Sequence, residues 1–229
     1  MSGYGTCIDP REEYDKLAGS YDRRWAGYVA ASTRKTLQRL SVGPGARILD
    51  VGCGTGELLK AVRQQHRDVF IAGVDLSQEM LRVAAQKFGA AGSVVHADAH
   101  HLPFADAAFD IVTSVSAFHY LHGPARVLVE ARRVLKPQGR IVITDWCGDF
   151  LGCRFLAWLL PVLGKAHERT FRVRELVDAV TAAGYADIAV DKYRIDLFWG
   201  LMTVVATAPA SRDTTSEQDV DRGAAQAGS

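Results

Sequence analysis

Three glycines at alternating positions follow an apolar run and precede a helical pattern, and they constrain the fold more than any other feature. The segment reads Ile48-Leu49-Asp50-Val51-Gly52-Cys53-Gly54-Thr55-Gly56-Glu57. Glycine has no Cβ, so Gly52, Gly54 and Gly56 can adopt positive φ values and leave space beside the backbone. The segment therefore predicts a strand that turns sharply into a helix and admits a small ligand. A tight turn without a ligand is the alternative.

The spacing of the glycines distinguishes a dinucleotide cofactor from other small cofactors. The dinucleotide fingerprint is G-x-G-x-x-G, and Glu57 stands where its third glycine would be. The pattern therefore argues against a dinucleotide. Alternating glycines alone are a weak signal, so other segments must decide which ligand is bound.

Acidic residues follow two later apolar runs. Asp75 follows residues 69–74, where the second strand of a doubly wound sheet places a carboxylate against ribose hydroxyls. The alternative is that Asp75 caps a helix that begins near Ser77. Asp98 ends the next apolar run and precedes the turn Leu102-Pro103-Phe104. Polar groups at successive strand ends predict a single site at one edge of the sheet.

Strand and helix patterns alternate along the chain, which predicts an α/β fold with a parallel sheet and crossover helices. The predicted strands are 46–51, 69–75, 93–97, 109–115 and 139–145, and the predicted helices begin at 56 and 77 and span 124–135. Residues 10–40 have helical spacing and end before a Gly-Pro-Gly turn. The runs Ile188–Leu197 and Leu201–Ala208 predict an antiparallel hairpin.

The ordered set of motifs resembles the class I S-adenosylmethionine-dependent methyltransferases, in particular the small-molecule, methyltransferase type 11-like branch. The resemblance rests on D-x-G-C-G-T-G at 50–56, Asp75, A-D-A-x-x-L-P-F at 97–104, and the segments 14–22, 109–114 and 135–140. It covers roughly residues 10 to 208. It implies a Rossmann-like, doubly wound sheet of seven strands, mostly parallel with an antiparallel C-terminal hairpin and with helices on both faces.

The resemblance implies S-adenosyl-L-methionine as the cofactor and assigns roles to individual residues. The amino acid moiety would be held by Asp50, Gly52, Cys53, Gly54 and Gly56, the ribose by Asp75, and the adenine by Asp98, Ala99, Leu76 and Met80. Ser114 would add contacts after the fourth strand, and Tyr14 and Tyr21 would close an N-terminal lid. The alternative is that the two tyrosines, seven residues apart, lie on the same buried face of one helix and have no role in binding.

Methyl transfer from a sulfonium needs neither a metal nor a covalent intermediate, so no metal site is expected. A general base is needed only when the acceptor is protonated. The candidates lie after the fourth and fifth strands, whose carboxyl ends face the ligand crevice: His119 and Tyr120, and then Asp145. The alternative for His119 is a wall or capping residue.

The insert at 146–171 is rich in aromatic residues and is the predicted cap over a flat aromatic or lipophilic substrate. Its candidate substrate contacts are Trp146, Phe150 and His167. The alternative is that its apolar side chains simply pack the cap. Cys147 and Cys153 raise the question of a metalloid acceptor. Six residues apart on a helix, their side chains would point about 120° apart, so they would chelate one atom only in a non-helical segment.

Composition limits the function classes. The 229 residues include 27 basic and 26 acidic ones, for a net charge of +1, which provides no field favouring nucleic acid or an anionic membrane. The sequence also lacks an N-P-P-Y or D-P-P-Y tetrad after the fourth strand, which argues against methylation of nucleic acid bases. A small-molecule substrate and a monomer or homodimer are expected. The open alternative is a non-catalytic S-adenosylmethionine-binding partner or sensor subunit.

Four cysteines are too few for a disulfide framework, the N-terminus lacks a secretory pattern, and residues 155–163 are too short a run to span a bilayer. A cytoplasmic location is therefore expected. Residues 10–208 are predicted to form a single domain in which residues 10–40 supply lid helices. Residues 1–9 are predicted to be a flexible leader, and residues 209–229 a disordered tail.

Overall fold

Seven strands form one sheet whose two faces are covered by helices. The computed structural model describes residues 10–88, 92–162, 169–196 and 199–210. The strands are β1 (Arg47–Val51), β2 (Phe70–Asp75), β3 (Ser93–His96), β4 (Phe109–Val115), β5 (Leu135–Trp146), β6 (Ala186–Arg194) and β7 (Gly200–Thr207). The helices are α1 (Pro10–Leu17), α2 (Tyr21–Arg24), α3 (Ala26–Leu37), α4 (Glu57–Gln65), α5 (Gln78–Phe88), α6 (Pro124–Val134), α7 (Leu151–Val162) and α8 (Val173–Ala182).

The strand order is β3-β2-β1-β4-β5-β7-β6. Strands β1 to β5 pair in parallel, and β7 runs antiparallel to both β5 and β6. The predicted fold class is therefore confirmed, including the C-terminal hairpin. The order reverses between β1 and β4, so the loops after these strands diverge and leave a crevice at their carboxyl ends.

Alternating side chains of each strand feed two separate cores. On β1, Leu49 and Val51 pack in the layer that contains α6 and α8. Ile48 points the other way, into the layer with α4 and the end of α3. Because both faces of the central strands are covered, these strands read as continuous apolar runs in the sequence.

The structure corrects two predicted boundaries. Strand β5 begins at Leu135 rather than at 139, because Leu135 still pairs with Phe109 before a register shift in the ladder. The segment predicted as lid helices is divided into α1, α2 and α3 by a 3-10 turn at Ala18–Ser20 and by Trp25, whose φ of −111° and ψ of 18° are not helical.

Several predicted segments are only partly described. The predicted leader, residues 1–9, and residues 211–229 of the predicted tail lie outside the described residues. The cap at 146–171 includes α7 but is described only up to 162 and from 169 onward. Within the described part of the chain, helices fall short of the length and apolarity that crossing a bilayer requires.

A buried chain of hydroxyl groups ties α3 to the hairpin edge of the sheet. Thr36 Oγ1 donates to Thr144 Oγ1 at 2.7 Å, and Thr144 lies 2.9 Å from Thr203 Oγ1. Tyr193 extends the chain, with its hydroxyl 2.9 Å from Thr203. Thr144 is the central member and is fully buried.

Replacing Thr144 with Val should destabilise the protein, because the substitution keeps the side-chain shape but removes the hydroxyl that links Thr36 to Thr203. Thr36 keeps its hydrogen bond to the Ser32 carbonyl and Thr203 keeps its contact with Tyr193, so we expect the free energy of unfolding in urea to fall by about 0.5–1.5 kcal/mol. Thr181→Val is the control, since Thr181 also hydrogen-bonds through its hydroxyl but on the exposed face of α8. Equal stability of the two variants would contradict the proposed role of the chain.

Candidate active site

A cavity of about 220 Å³ lies at the carboxyl ends of β1, β2 and β4. Its floor is the glycine loop after β1 and its sides are the loops after β2 and β4, while residues of α1, α2 and α3 form its roof. This is the crevice at which open α/β sheets bind their ligands. We call it the cofactor cavity.

The glycine loop is shaped by positive φ values of 73° at Gly52, 52° at Gly54 and 79° at Gly56. A Cβ on Gly52 would collide with the Ala117 side chain, and one on Gly56 would collide with the Phe88 ring. A Cβ on Gly54 would meet no atom within 4 Å. Gly52 and Gly56 are therefore required for packing, whereas Gly54 leaves its space open to the cavity.

Two carboxylates lie on the cavity wall, the buried Asp50 and the half-buried Asp75. Asp75 accepts hydrogen bonds from the backbone N–H groups of Gly54 at 2.8 Å and Ser77 at 2.9 Å. Asp50 accepts one from Thr113 Oγ1 at 2.6 Å. Burial raises the pKa of Asp50 to about 7, although the Thr113 hydrogen bond opposes the shift. Burial also raises the pKa of Asp75 despite its backbone donors.

The N-terminal helices are fastened to the strand-end loops by side-chain hydrogen bonds. Asp15 accepts from Ser77 Oγ at 2.5 Å, which joins α1 to the start of α5. Asp22 accepts from Thr55 Oγ1 at 2.5 Å, which joins α2 to the glycine loop. The Tyr14 hydroxyl donates to the Tyr120 hydroxyl at 2.9 Å, and so reaches the loop after β4. The lid is therefore docked on three different loops.

A fourth contact joins Tyr28 of the lid to Trp146 at the end of β5. The Trp146 indole Nε1–H, which can only donate, points at the Tyr28 hydroxyl at 2.8 Å, and Tyr28 lies 2.7 Å from Ser116 Oγ. Either hydroxyl can donate in the contact between Tyr28 and Ser116. Ser116 lines the cavity and has a φ of 56°, which is unusual for a residue other than glycine.

Most residues that the resemblance assigns to the cofactor line this one cavity. They are Asp50, Gly52, Cys53, Gly54, Asp75, Leu76, Met80, Ala99, Tyr14 and Tyr21. Gly56 stands behind the wall against Phe88. Ser114 is buried, and its hydroxyl finds no hydrogen-bond partner within the described ranges. Neither Gly56 nor Ser114 belongs to the cavity lining.

Asp98 was predicted to meet the adenine, but its carboxylate is held by His100. One oxygen of Asp98 lies 2.6 Å from His100 Nδ1 and accepts the His100 backbone N–H at 2.9 Å. Partial burial works against ionisation, yet these hydrogen bonds outweigh it and lower the pKa of Asp98. Asp98 does not line the cavity, whereas its neighbours Ala97 and Ala99 do. Any contact of Asp98 with the cofactor remains a prediction.

The three candidate catalytic residues form one cluster, but only Tyr120 lies on the cavity wall. Asp145 accepts hydrogen bonds from the His119 backbone N–H at 2.8 Å and lies 2.6 Å from His119 Nδ1. The His119 ring stacks on Trp146 at 5.2 Å and contacts the Tyr120 ring at 4.0 Å. Both His119 and Asp145 are buried. This arrangement supports the wall interpretation of His119 better than the general-base interpretation.

The predicted substrate residues do not line the cofactor cavity. Trp146 lies behind Tyr28, and the Phe150 ring packs against Gly200 and beneath Lys192. His167 lies outside the described residues. The cap insert therefore supports the site from outside, as far as the structure describes it.

The two cysteines of the insert are buried thiols. Burial raises the pKa of Cys147 to about 11 and raises that of Cys153 as well. Cys153 donates its S–H to the Gly200 carbonyl at 3.1 Å. Thiolates rather than thiols bind soft atoms, so these surroundings disfavour a metalloid site. No cluster of three or more metal-ligating side chains occurs among the described residues.

The residues of the lid that sequence reasoning missed share one signal. Tyr28 continues the seven-residue spacing of Tyr14 and Tyr21, and Asp15 and Asp22 repeat with the same spacing. That period places both sets on one side of a helical segment. The spacing would have identified Tyr28, Asp15 and Asp22 as members of the same inward-facing stripe.

Comparison with known proteins gives the family. Residues 49–143 match the family model described as a methyltransferase domain. The malonyl-[acyl-carrier protein] O-methyltransferase of Geobacter sulfurreducens is 34% identical over 192 residues, which are 76% of this chain and 72% of that enzyme. The chain belongs to the S-adenosylmethionine-dependent methyltransferases. The cofactor of this methyltransferase is S-adenosyl-L-methionine.

A second relative is also a methyltransferase, and a solved structure has the same fold. The 27-O-demethylrifamycin SV methyltransferase of Amycolatopsis mediterranei is 33% identical over 188 residues, and the chain spans only 63% of that enzyme's length. An S-adenosylmethionine-dependent methyltransferase structure from Thermotoga maritima superposes with a TM-score of 0.72 at 20% identity. The superposition covers 86% of this chain and 99% of the Thermotoga maritima chain.

The cavity fits the cofactor that the family implies. The open space at Gly54 admits a ligand close to the backbone, and the carboxylates of the buried Asp50 and the half-buried Asp75 have no cationic partner among the described residues. The ammonium group of S-adenosylmethionine would supply positive charge at Asp50, and its ribose hydroxyls would donate hydrogen bonds to Asp75. The residues present are therefore compatible with S-adenosylmethionine.

Gly54→Ala should weaken cofactor binding by at least about tenfold, because the new methyl group would occupy ligand space. Gly45→Ala is a matched control. Gly45 also has a positive φ (67°), has open space around its Cβ position and donates its N–H to an aspartate, Asp68, but it lies away from the cavity. Each variant should lose about 1 kcal/mol of stability from backbone strain. Equal cofactor affinity of the two variants by calorimetry would count against this assignment.

Asp50 should make the stability of the cofactor-free protein depend on pH. Its pKa of about 7 in the folded protein exceeds the ordinary value of 3.8, so folding favours the protonated form. The protonated Asp50 carboxyl contributes fully to the stability of the fold below pH 3.8. This contribution, up to about 4 kcal/mol, is lost as the pH rises through 7. Asp50→Asn should flatten the fall in melting temperature between pH 5 and pH 8. Parallel curves for the two proteins would contradict the raised pKa.

Proposed function

We propose that this methyltransferase moves the methyl group of S-adenosylmethionine to an oxygen, nitrogen or carbon atom of a small aromatic or lipophilic molecule. The transfer is a direct in-line displacement that uses no metal ion. The observation that carries the proposal is the cofactor cavity itself, which is lined by the carboxylates of Asp50 and Asp75 and by four tyrosines beneath a docked lid.

The cofactor, when bound, supplies a methyl group made electrophilic by the adjacent sulfonium. Asp50 and the glycine loop would hold its amino acid part, and Asp75 its ribose. The lid excludes water and fixes the orientation of both reactants. Such alignment can lower a barrier by roughly 7–11 kcal/mol in favourable cases, so binding and orientation are the main tasks of the protein.

The tyrosines of the wall serve as neutral groups rather than as bases. Burial raises the pKa of Tyr120 to about 12 and raises that of Tyr14 well above its usual value. Both phenols stay protonated at neutral pH, and the Tyr14 hydroxyl donates to the Tyr120 hydroxyl. We assign His119 and Asp145 a positioning role, since their hydrogen bonds hold the turn that carries Tyr120.

The relatives differ in the acceptor atom, since several of them are named C-methyltransferases of ubiquinone and menaquinone biosynthesis. The names of the rifamycin SV and malonyl-[acyl-carrier protein] enzymes both specify methylation at oxygen. Neither named substrate is carried over to this chain, which spans only part of the rifamycin enzyme. The aromatic wall of the cavity supports an apolar ring system more than a free sugar or amino acid.

The test is transfer of labelled methyl from S-adenosylmethionine into a cell extract, which is then separated into organic-soluble, aqueous, protein and nucleic acid fractions. We expect label in the organic fraction. Asp75→Asn should reduce incorporation at least tenfold by weakening the cofactor site, since a hydrogen bond to a charged group contributes about 1.5–3 kcal/mol. Asp68→Asn, which alters an exposed carboxylate with a similar glycine N–H partner, should leave incorporation unchanged.

Other distributions of label would reject the proposal. Label in protein or nucleic acid would exclude a small-molecule acceptor. Tight cofactor binding without any label would indicate the alternative of a non-catalytic partner or sensor subunit. Both outcomes require that calorimetry first establish cofactor binding by the unmodified protein.

A further inference from the structure

One lysine ammonium lies where the lid, the glycine loop and the ends of two helices meet. Lys87, in the last turn of α5, places its Nζ 2.6 Å from Asp22 Oδ2 on α2 and 2.6 Å from Glu57 Oε1 at the start of α4. We call these three residues the Lys87 clamp. The Lys87 side chain is only 17% exposed, so its ion pairs are less screened by solvent than pairs on an open surface.

The clamp lies directly behind the wall of the cofactor cavity. Glu57 lines the cavity, and so do Tyr21, which precedes Asp22, and Thr55 of the glycine loop. Asp22 accepts the Thr55 hydroxyl at 2.5 Å through its Oδ1 and pairs with Lys87 through its Oδ2. Lys87 itself does not line the cavity, so it can act on the cofactor only through these neighbours.

Packing holds the two sides of the clamp unequally. The C-terminal end of α5 is fixed on the glycine loop, because Ala84 and the Phe88 ring fill the space beside Gly56. Helix α2, by contrast, is a single turn in which none of the four residues is fully buried. So short a helix is not stable alone. The position of α2 therefore depends on its side-chain contacts, and Asp22 makes two of them.

The charges around Lys87 give it more influence than a single ion pair would have. Its ammonium lies between two carboxylates, one on the lid and one on α4, at the same distance from each. Without the ammonium, Asp22 and Glu57 would face each other with like charges across the boundary between the lid and α4, and like charges repel. Lys87 thus supplies attraction and suppresses repulsion at the same boundary.

We infer that Lys87 is a positioning residue that keeps the lid closed over the bound cofactor and so limits the rate at which the cofactor and its demethylated product leave. While the clamp is intact, α2 stays against the glycine loop and keeps Tyr21 on the cavity wall. Release requires the contacts of Asp22 with Lys87 and Thr55 to break. The inference concerns the cofactor and is independent of which molecule accepts the methyl group.

The experiment measures release of labelled S-adenosylhomocysteine from the full-length protein after an excess of the unlabelled compound is added. Lys87→Met keeps a long side chain but removes the charge, and release should become at least about fivefold faster. Lys60→Met is the matched control, because Lys60 also pairs with Glu57, at 3.5 Å, but lies on α4 and makes no ion pair with the lid within the described residues. Equal release by the two variants would overturn the inference.

The dependence of release on salt distinguishes the clamp from a role in stability alone. Raising the salt concentration from about 0.05 M to about 0.5 M weakens interactions between partly exposed charges. Release from the unmodified protein and from Lys60→Met should therefore become faster with salt. Release from Lys87→Met should become slower, because salt then screens the repulsion between Asp22 and Glu57. The same salt dependence in all three proteins would contradict the clamp.

A second substitution tests the repulsion directly. Asp22→Asn removes the charge but keeps an oxygen that can accept the Thr55 hydroxyl. Combined with Lys87→Met, it should make release at least about twofold slower than from Lys87→Met alone. Equally fast release from both proteins would contradict the repulsion on which the inference depends. A lower melting temperature of Lys87→Met with unchanged release would restrict Lys87 to the stability of the fold and would also overturn the inference.

Discussion

The hydrogen bond from the Gly54 N–H to the Asp75 carboxylate connects the two strand-end loops on which the site depends. Gly54 belongs to the loop after β1, and Asp75 ends β2. The contact requires the loop to turn through positive φ values, which brings its backbone N–H toward the neighbouring strand. It also fixes the carboxylate beside the open space at Gly54. The crevice therefore has one rigid side before any ligand arrives, which reduces the ordering that binding must impose.

The N-terminal lid depends on this rigid side. Asp15 and Asp22 hydrogen-bond to Ser77 and Thr55, residues that follow β2 and β1. Tyr14 reaches the loop after β4 through Tyr120. Because the lid is divided into three short helices, each of its segments can meet a different loop. One continuous helix would have brought fewer of these side chains into contact with the loops.

Burial of charge in the cofactor cavity is a cost that a suitable ligand would offset. Burial raises the pKa of Asp50 to about 7, so the empty site favours the protonated carboxyl. A cationic ligand favours the ionised form, and binding then releases a proton.

The sequence by itself determined the fold class and the position of the cofactor loop. Alternating glycines after an apolar strand have few structural solutions, and continuous apolar runs separated by helical patterns require a parallel sheet covered on both faces. The same local patterns located Asp50, Gly54 and Asp75, because strand ends carry their polar groups to one edge. Seven of the ten assigned residues that line the cavity lie in or just after β1, β2 and β3 for this reason, whereas Tyr14, Tyr21 and Met80 reach it from helices.

Only the tertiary structure decided which polar side chains face the cofactor cavity. Asp98 and His119 follow strand ends as Asp75 does, but His100 holds Asp98, and Asp145 holds His119, away from the cavity wall. The Trp25 ring likewise contacts the ring of Trp199, which is distant in the sequence. Such choices depend on contacts between remote segments, and local periodicity contains no information about which remote partner a side chain will meet.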